Sequence, residues 1–270
     1  MKVALSQFAP VLGDVHGNAQ RMAEIVRTVR RTHGPLDLIV FPELALTGYD
    51  ARSGFWPMSE EVPGALLALQ EAARAVGTPI AAGLPERDPN REGILYDGLL
   101  LIGADGSAAA SYRKVHLWQE ERLYFAAGDE FRLARVGDAT MGLGICWDIA
   151  FPEWGRASAL AGAQVLLVVS AWDEGSIRYW DALLRARAIE NGCYVIACNR
   201  AGRDGDLAFG GHSQVLSPGG DPLGFLGAAA EGVLVAQLDL DAVGPTRFSD
   251  LTGLRDLRPD VYRKPPILLP

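Results

Sequence analysis

Apolar and polar positions along the 270 residues follow two alternating periods, short runs of strand length and longer stretches with helical spacing. Val3 to Phe8 reads as a strand, Asn18 to Arg31 as a helix, and Leu36 to Phe41 as a strand again. A helix over Ala65 to Val76 is expected to begin after Pro63 and to stop at Gly77, ahead of Pro79, with a short strand at Ile80 to Leu84. Two further strands, Leu95 to Gly103 and Ala108 to Tyr112, flank Asp105-Gly106, a hairpin signal. The second half echoes the first with strand 140–146, helix 153–162, strand 165–170, helix 176–190 and strand 194–198. A hairpin then pairs 212–217 with 223–226 around Gly219-Gly220, and a last strand spans 232–238. On the helix 176–190, Ile177, Trp180, Leu184 and Ala188 share one face, which should pack on a sheet. Two such halves predict an α/β fold, a four-layer α-β-β-α sandwich of two facing mixed sheets with helices outside. No linker or low-complexity run divides them, so residues 1–270 are expected to form a single domain. The Pro-rich stretch 240–270 is expected as a tail without need of regular structure.

Composition changes this picture little. At 49% hydrophobic and 21% charged the chain has ordinary globular stock and can bury a large core. A formal charge of −8 argues against a nucleic-acid or anionic-membrane surface, and apolar runs such as Val165 to Val169 are too short to cross a bilayer. Met1-Lys2 runs straight into the first strand with no basic-then-apolar leader, so a cytoplasmic location is expected. Of the three cysteines, Cys193 and Cys198 are separated by an odd number of strand positions and should face opposite ways, which disfavours a bond between them and fits a reducing compartment.

Candidate chemistry gathers at the strand ends. Cys146 follows the apolar run 140–145 and precedes Pro152, the start of a helix, so a strand delivers a thiol into a tight turn. Glu43 ends the strand 37–41 after Pro42, and Lys114 follows the strand-like 110–113. A carboxylate, an ammonium and a thiol can supply a base, a cation and a nucleophile. Taken singly, each has a plainer reading: a buried thiol usually packs as a small hydrophobe, and a lysine near a hairpin is usually a solvated charge. His116 could serve a thiol as base, but two positions after Lys114 it is better read as a local hydrogen-bonding group. His16, His33 and His212 show no metal-ligand spacing. Arg185, Arg187 and Glu190 read as a structural ion-pair network, and Asp148 as structural though close to the thiol. Tyr49, Trp147 and Trp172 are candidates for lining a substrate pocket, with aromatic core packing an equal alternative.

Several short motifs occur together in order: Phe41-Pro-Glu-Leu44 with Thr47-Gly-Tyr49, Tyr112-Arg-Lys-Val-His-Leu117, Gly144-Ile-Cys-Trp-Asp148 with Phe151-Pro-Glu153, Arg185-Ala-Arg-Ala-Ile-Glu-Asn191, and Asn199-Arg-Ala-Gly202. In this combination the chain resembles the nitrilase superfamily, the carbon-nitrogen hydrolases that use a Glu-Lys-Cys triad. The resemblance implies Glu43 as general base, Lys114 as the cation beside an oxyanion and Cys146 as nucleophile. It also implies a second glutamate in the loop after the lysine. Glu121 takes that role ahead of Phe125 and Gly128, although Glu120 is adjacent and Ala127 stands where the family usually has proline. Lys114 and the amino end of the helix near Pro152 are expected to favour a thiolate.

The activity so implied is an amidase hydrolysing a small carboxamide to acid and ammonia, with no metal or organic cofactor. The rival within the family is hydrolysis of N-carbamoyl amines or amino acids. A nitrilase ranks third, because Asp148 follows Cys146-Trp147 where true nitrilases commonly have glutamate. A scaffold of the same fold without turnover is the non-enzyme alternative. The resemblance further implies a homodimer or higher homo-oligomer, with 240–270 packing at the interface through residues such as Ile267-Leu-Leu269.

Overall fold

The computed structural model describes residues 1–227, 230–249 and 253–262, and among these described residues there are fourteen strands and six α-helices. Strands β1 (Lys2–Gln7), β2 (Leu38–Val40), β3 (Ile80–Arg87), β4 (Leu95–Ile102) and β5 (Ala108–Arg113) form most of the first sheet. Strands β6 (Leu133–Val136), β7 (Ala139–Ile145), β8 (Val165–Ser170) and β9 (Tyr194–Asn199) belong to the second, and β10 (Arg203–Asp204) with β11 (Leu207–Ala208) makes a separate small ribbon. Strands β12 (Gln214–Leu216) and β13 (Pro222–Phe225) extend the second sheet, and β14 (Gly232–Gln237) returns to pair antiparallel with β1. The two sheets run β14-β1-β2-β3-β4-β5 and β13-β12-β9-β8-β7-β6. Each has parallel strands at its centre and antiparallel ones towards its edges.

The four-layer arrangement follows from the period of two along the strands. Val3 and Leu5 of β1, Val40 of β2 and Leu101 of β4 face Leu143, Ile145, Val169 and Cys198 of the second sheet in one continuous core. The alternate positions Ala4, Ile39 and Ala82 pack outward against α1 (Val15–His33) and α2 (Phe55–Val76), through Met22, Val26, Leu69 and Ala72. Outside the second sheet lie α3 (Pro152–Leu160) and α4 (Ile177–Asn191), and Trp180, Leu184 and Ala188 of α4 are wholly buried on the expected face. The two facing mixed sheets with outer helices therefore agree with the sequence reading.

Several boundaries differ from it. Helix α1 starts earlier than Asn18 because the Asp14 side chain caps it, accepting from Gly17 N–H at 3.0 Å. Helix α2 runs through Pro63 and begins at Phe55. Proline removes one ladder bond, and here tertiary contacts offset the loss: Arg87 of β3 donates to Ser59 Oγ at 2.7 Å, to Trp56 O at 3.2 Å and to Glu60 Oε1 at 2.9 Å. Strand β6 was not anticipated; its sequence Leu-Ala-Arg-Val is too short for its alternation to stand out. The start of the tail is regular and packed, with α5 (Val243–Arg247) burying Val243 and the Tyr194 hydroxyl donating to Asp239 O at 2.7 Å. A last short helix, α6, spans Pro259–Tyr262, while Ile267-Leu-Leu269 lie outside the described residues. No helix among the described residues is long and apolar enough to cross a membrane.

Candidate active site

The parallel strands β2, β7 and β8 end at the same edge of the sandwich, and β5, antiparallel to an antiparallel neighbour of β3, ends there too. Cys146 directly follows β7 and adopts φ +45°, a left-handed conformation that costs a side-chain-bearing residue about 1–3 kcal/mol. What holds it is a staple around Asp148. The wholly buried Asp148 carboxylate accepts from Ile145 N–H (3.0 Å), the Tyr112 hydroxyl (2.8 Å) and His116 N–H (3.0 Å), and pairs with His116 Nδ1 at 2.8 Å. His116 also stacks on Phe151 with ring centroids 3.7 Å apart. Its contact is thus with the turn after the thiol, 32 residues away in sequence, and not with near neighbours as expected. Arg187 binds the same turn from α4, donating to Ile149 O at 2.9 Å, and pairs with Glu190 at 2.8 Å. Gly144 lets the strand approach α3, since a Cβ there would lie 2.4 Å from the Trp154 ring.

On the opposite sheet Glu43 sits just beyond β2, with the neighbouring Leu44 at φ +47°. Gly83 of β3 lies directly beneath, and a Cβ on it would come within 2.5 Å of Glu43 Cα. The Glu43 carboxylate is wholly buried: Oε1 accepts from Lys114 Nζ at 2.5 Å and Oε2 from Ala171 N–H, just past β8, at 2.6 Å. Lys114 is equally buried and also reaches Glu121 Oε1 at 2.7 Å and Asp97 Oδ2 at 3.4 Å. Glu121 in turn accepts from the Tyr49 hydroxyl at 2.6 Å and from Trp118 N–H at 2.8 Å. Of the adjacent pair, then, Glu121 joins the lysine, while Glu120 is exposed. Gly128 accounts for the family motif after it: its N–H donates to Lys114 O at 2.8 Å, and a Cβ would meet Arg113 O at 2.3 Å.

Three carboxyl groups around one ammonium set the electrostatics of this floor. Burial opposes the charge on Lys114, but Glu121 and Glu43 overturn it and hold its pKa well above that of an ordinary lysine. Burial, with Glu43 adding, pushes Asp97 well above the usual carboxylate range, and burial raises Glu121 against the opposing pull of Lys114. Burial also pushes the Cys146 thiol well up, with Glu43 adding and Lys114 opposing. Burial and Glu43 thus weigh towards the protonated thiol, against the expected pull of Lys114 towards thiolate: the field of Lys114 is shared among carboxylates, and Cys146 itself opens a short 3-10 turn that precedes α3. The carboxyl oxygens of Glu43, Asp97 and Glu121 lie within 4.8 Å of one another, a set that could hold a divalent cation. Lys114 Nζ already occupies that role at 2.5 to 3.4 Å from each.

Above the floor opens a cavity of about 570 Å³ that buried Cys146 lines beside Tyr49, Trp118, Trp147, Trp172, Leu183 and Leu207. All three aromatic residues singled out in the sequence line it. Trp172 is pinned by Asn199, whose Oδ1 accepts from Trp172 N–H at 2.7 Å and whose Nδ2 donates to Trp172 O at 3.2 Å. The Tyr49 segment is fixed by Asp204, which accepts from Tyr49 N–H at 2.7 Å while paired with buried Arg200 at 2.6 Å. Sequence reasoning missed Asp97, Leu207 and the Arg200–Asp204 pair, and placed Trp118 only within a loop that shapes the pocket. The Asn199-Arg200 motif was the one visible signal, and it had no assigned role.

The profile of the carbon-nitrogen hydrolase family matches residues 2–248. A probable nitrilase of Schizosaccharomyces pombe is 35% identical over 97% of both chains, and a 2-oxoglutaramate amidase of Bacillus subtilis is 37% identical over 84% of this chain and 86% of its own. The crystal structure of an amidase from Nesterenkonia sp. superposes with a TM-score of 0.85 at 31% identity, covering 97% of this chain and 95% of that one. The chain belongs to the carbon-nitrogen hydrolase family of the nitrilase superfamily. Its α/β fold is that of the family, and a buried Glu43–Lys114 pair with Cys146 is consistent with the family triad.

Proposed function

We propose that this chain is an amidase that hydrolyses a carboxamide to a carboxylic acid and ammonia through a thioester on Cys146. The observation that carries the reading is the clamped Glu43 carboxylate, held at both oxygens by Lys114 and Ala171 in the floor that the Cys146 thiol closes. With burial favouring the protonated sulfur, attack needs a base, and Glu43 takes that proton as Sγ bonds to the carbonyl carbon. The oxyanion is met by the Lys114 ammonium and by the Trp147 N–H, an early amide of the turn that has no partner within it. As the C–N bond breaks, Glu43 returns its proton to the nitrogen and ammonia leaves. Glu43 then activates water against the thioester, releasing the acid and restoring the thiol. Glu121 holds Lys114 in place, Tyr49 orients Glu121, and Trp147 and Trp172 form walls for the substrate. The scheme uses no metal or organic cofactor. Related structures support it: the Nesterenkonia amidase has been solved with butyramide bound, and with the acetamide moiety of fluoroacetamide on its active-site cysteine.

The test is ammonia release from carboxamides, carbamoyl amines and nitriles, with Cys146→Ala alongside and intact-mass detection of an acyl adduct. Amide turnover with an adduct that vanishes in the variant is the expected result. Turnover confined to carbamoyl compounds or nitriles would replace the amidase reading by one of its family rivals, and silence with no adduct would leave a scaffold. The same reading carries a homodimer or larger assembly in a reducing cytoplasm, where all three cysteines remain free thiols. Light scattering at several concentrations checks the assembly, and a constant monomeric mass would end it.

A further inference from the structure

We propose that the cavity above Cys146 selects an uncharged, apolar acyl group of aryl or branched-alkyl type, and rejects amides whose acyl chain carries a second carboxylate. The inference rests on the amidase reading and adds the substrate class. Its first support is the character of the wall. Trp118, Trp147, Trp172, Leu183 and Leu207 present apolar surface, and no lysine or arginine lines the cavity among the described residues. The one ionisable acid there, Asp173, is engaged in capping the next turn: Oδ1 accepts from Ser176 N–H at 2.9 Å and Oδ2 from the Ser176 hydroxyl.

Its second support is that several polar handles of the wall are already engaged, the Tyr179 hydroxyl accepting from Arg178 at 3.0 Å among them. The Tyr49 hydroxyl is committed to Glu121, and the Trp172 indole N–H donates to Ser176 O at 3.1 Å. The adjoining cavity of about 540 Å³ shares Tyr49, Trp118 and Leu207 and contains Arg52, but that guanidinium is paired with Asp50 at 3.0 Å. A carboxylate on the acyl chain would leave water for an aromatic wall with no cation, above a floor that already crowds three carboxyl groups on one ammonium.

Its third support is size and rigidity. A cavity of about 570 Å³ falls in the range that takes drug-sized ligands, well beyond what a two-carbon amide fills. The rings of Trp147 and Trp172 lie 5.7 Å apart at 37°, and those of Trp172 and Trp180 5.7 Å apart at 44°, so the wall continues into the core. With Asn199 gripping both sides of the Trp172 backbone, that wall cannot readily turn a polar group inward. The 2-oxoglutaramate amidase relative is, by its name, an enzyme for an amide with an added carboxylate. The present wall points to the opposite choice.

The experiment compares a matched pair, 5-methylhexanamide and glutaramate, in which an isopropyl group replaces the carboxylate at equal length. With the purified full chain, kcat/KM for 5-methylhexanamide is expected to exceed that for glutaramate by at least about 100-fold. In Leu183→Arg, which places a cation on the wall, the ratio should fall by about tenfold or more. Equal or better use of glutaramate by the parent chain would overturn the proposal while leaving the amidase reading intact. Should neither amide turn over, the amidase reading fails, and tryptophan-fluorescence titration of Cys146→Ala still decides the acyl class. Tighter binding of 5-methylhexanamide upholds it there, and equal or tighter binding of glutaramate overturns it.

Discussion

The floor and the wall of the cavity meet at one sulfur atom and are built on opposite principles. Below Cys146, four ionisable side chains are wholly or almost wholly buried, three carboxyl groups around one ammonium with Asp97 3.4 Å from it and without a hydrogen bond; above it, indole and aliphatic surface carries scarcely any charge. The floor comes from loops at strand ends in both sheets, so its geometry is set by backbone register. The wall comes from side chains on α4, the two-residue strand β11 and connecting turns and loops, which can change without moving the main sheets. On the proposed reading the contrast teaches that reaction and substrate choice are separable here: chemistry would reside in the floor and discrimination in the wall.

The most severe break is in the floor. Cys146→Ser should lower kcat by at least about 10⁴-fold and Glu43→Gln by about 10³-fold, for every amide alike, while dissociation constants for substrate stay within about threefold. Selective loss for bulky amides in either variant would show that floor and wall are not separable. Next in size is Lys114→Met, which strands three carboxyl groups without their cation. Removing one partner from such a cluster costs about 3–5 kcal/mol, read from urea midpoints, and the loss should shrink as pH falls and the carboxyls take up protons. An unchanged midpoint at pH 7 would mean the cluster is hydrated and the burial argument wrong.

The wall should respond differently. Trp118→Leu is expected to raise KM for an aryl amide by about tenfold with kcat nearly unchanged, and to leave acetamide almost unaffected. A fall in kcat for both substrates would move Trp118 from wall to floor. The smallest effect sharpens the floor itself. Because burial raises the pKa of Asp97 in the folded chain, its contribution to stability is fully present below the unfolded value of 3.8 and is lost as pH rises towards the folded one. That loss has a slope of about 1.4 kcal/mol per pH unit for one proton. Asp97→Asn cannot ionise, so its stability should lack that slope and match or exceed the parent at pH 7, with kcat within about tenfold. Superimposable stability profiles above pH 4 would remove Asp97 from the account.

Much of this was legible before any coordinates. Glu43 and Cys146 each follow an apolar run of strand length and Lys114 a strand-like one, so a reactive side chain at a run's end was visible as chemistry on a rigid support. Asp97 was not. It sits inside the run Leu95-Tyr-Asp-Gly, where alternation alone does not tell which face is buried, and only its pairing opposite Pro85 turns it towards Lys114. Trp118 and Leu207 lie on a loop and a two-residue strand, whose positions depend on contacts distant in sequence. The balance at the thiol was only partly legible for a related reason: Lys114 and the following turn were visible as influences towards thiolate, but the number of carboxyl groups sharing that cation was not.

Gly83 also has a bearing on how this enzyme can vary. It touches no substrate and carries no functional group, yet the backbone of the base rests where its side chain would be. A single added methyl on a neighbouring strand could silence the chain with every reactive residue intact. Divergence in this lineage therefore has freer passage through the aromatic wall than through an apparently featureless strand, and an inventory of reactive residues alone would count such a silent copy as active.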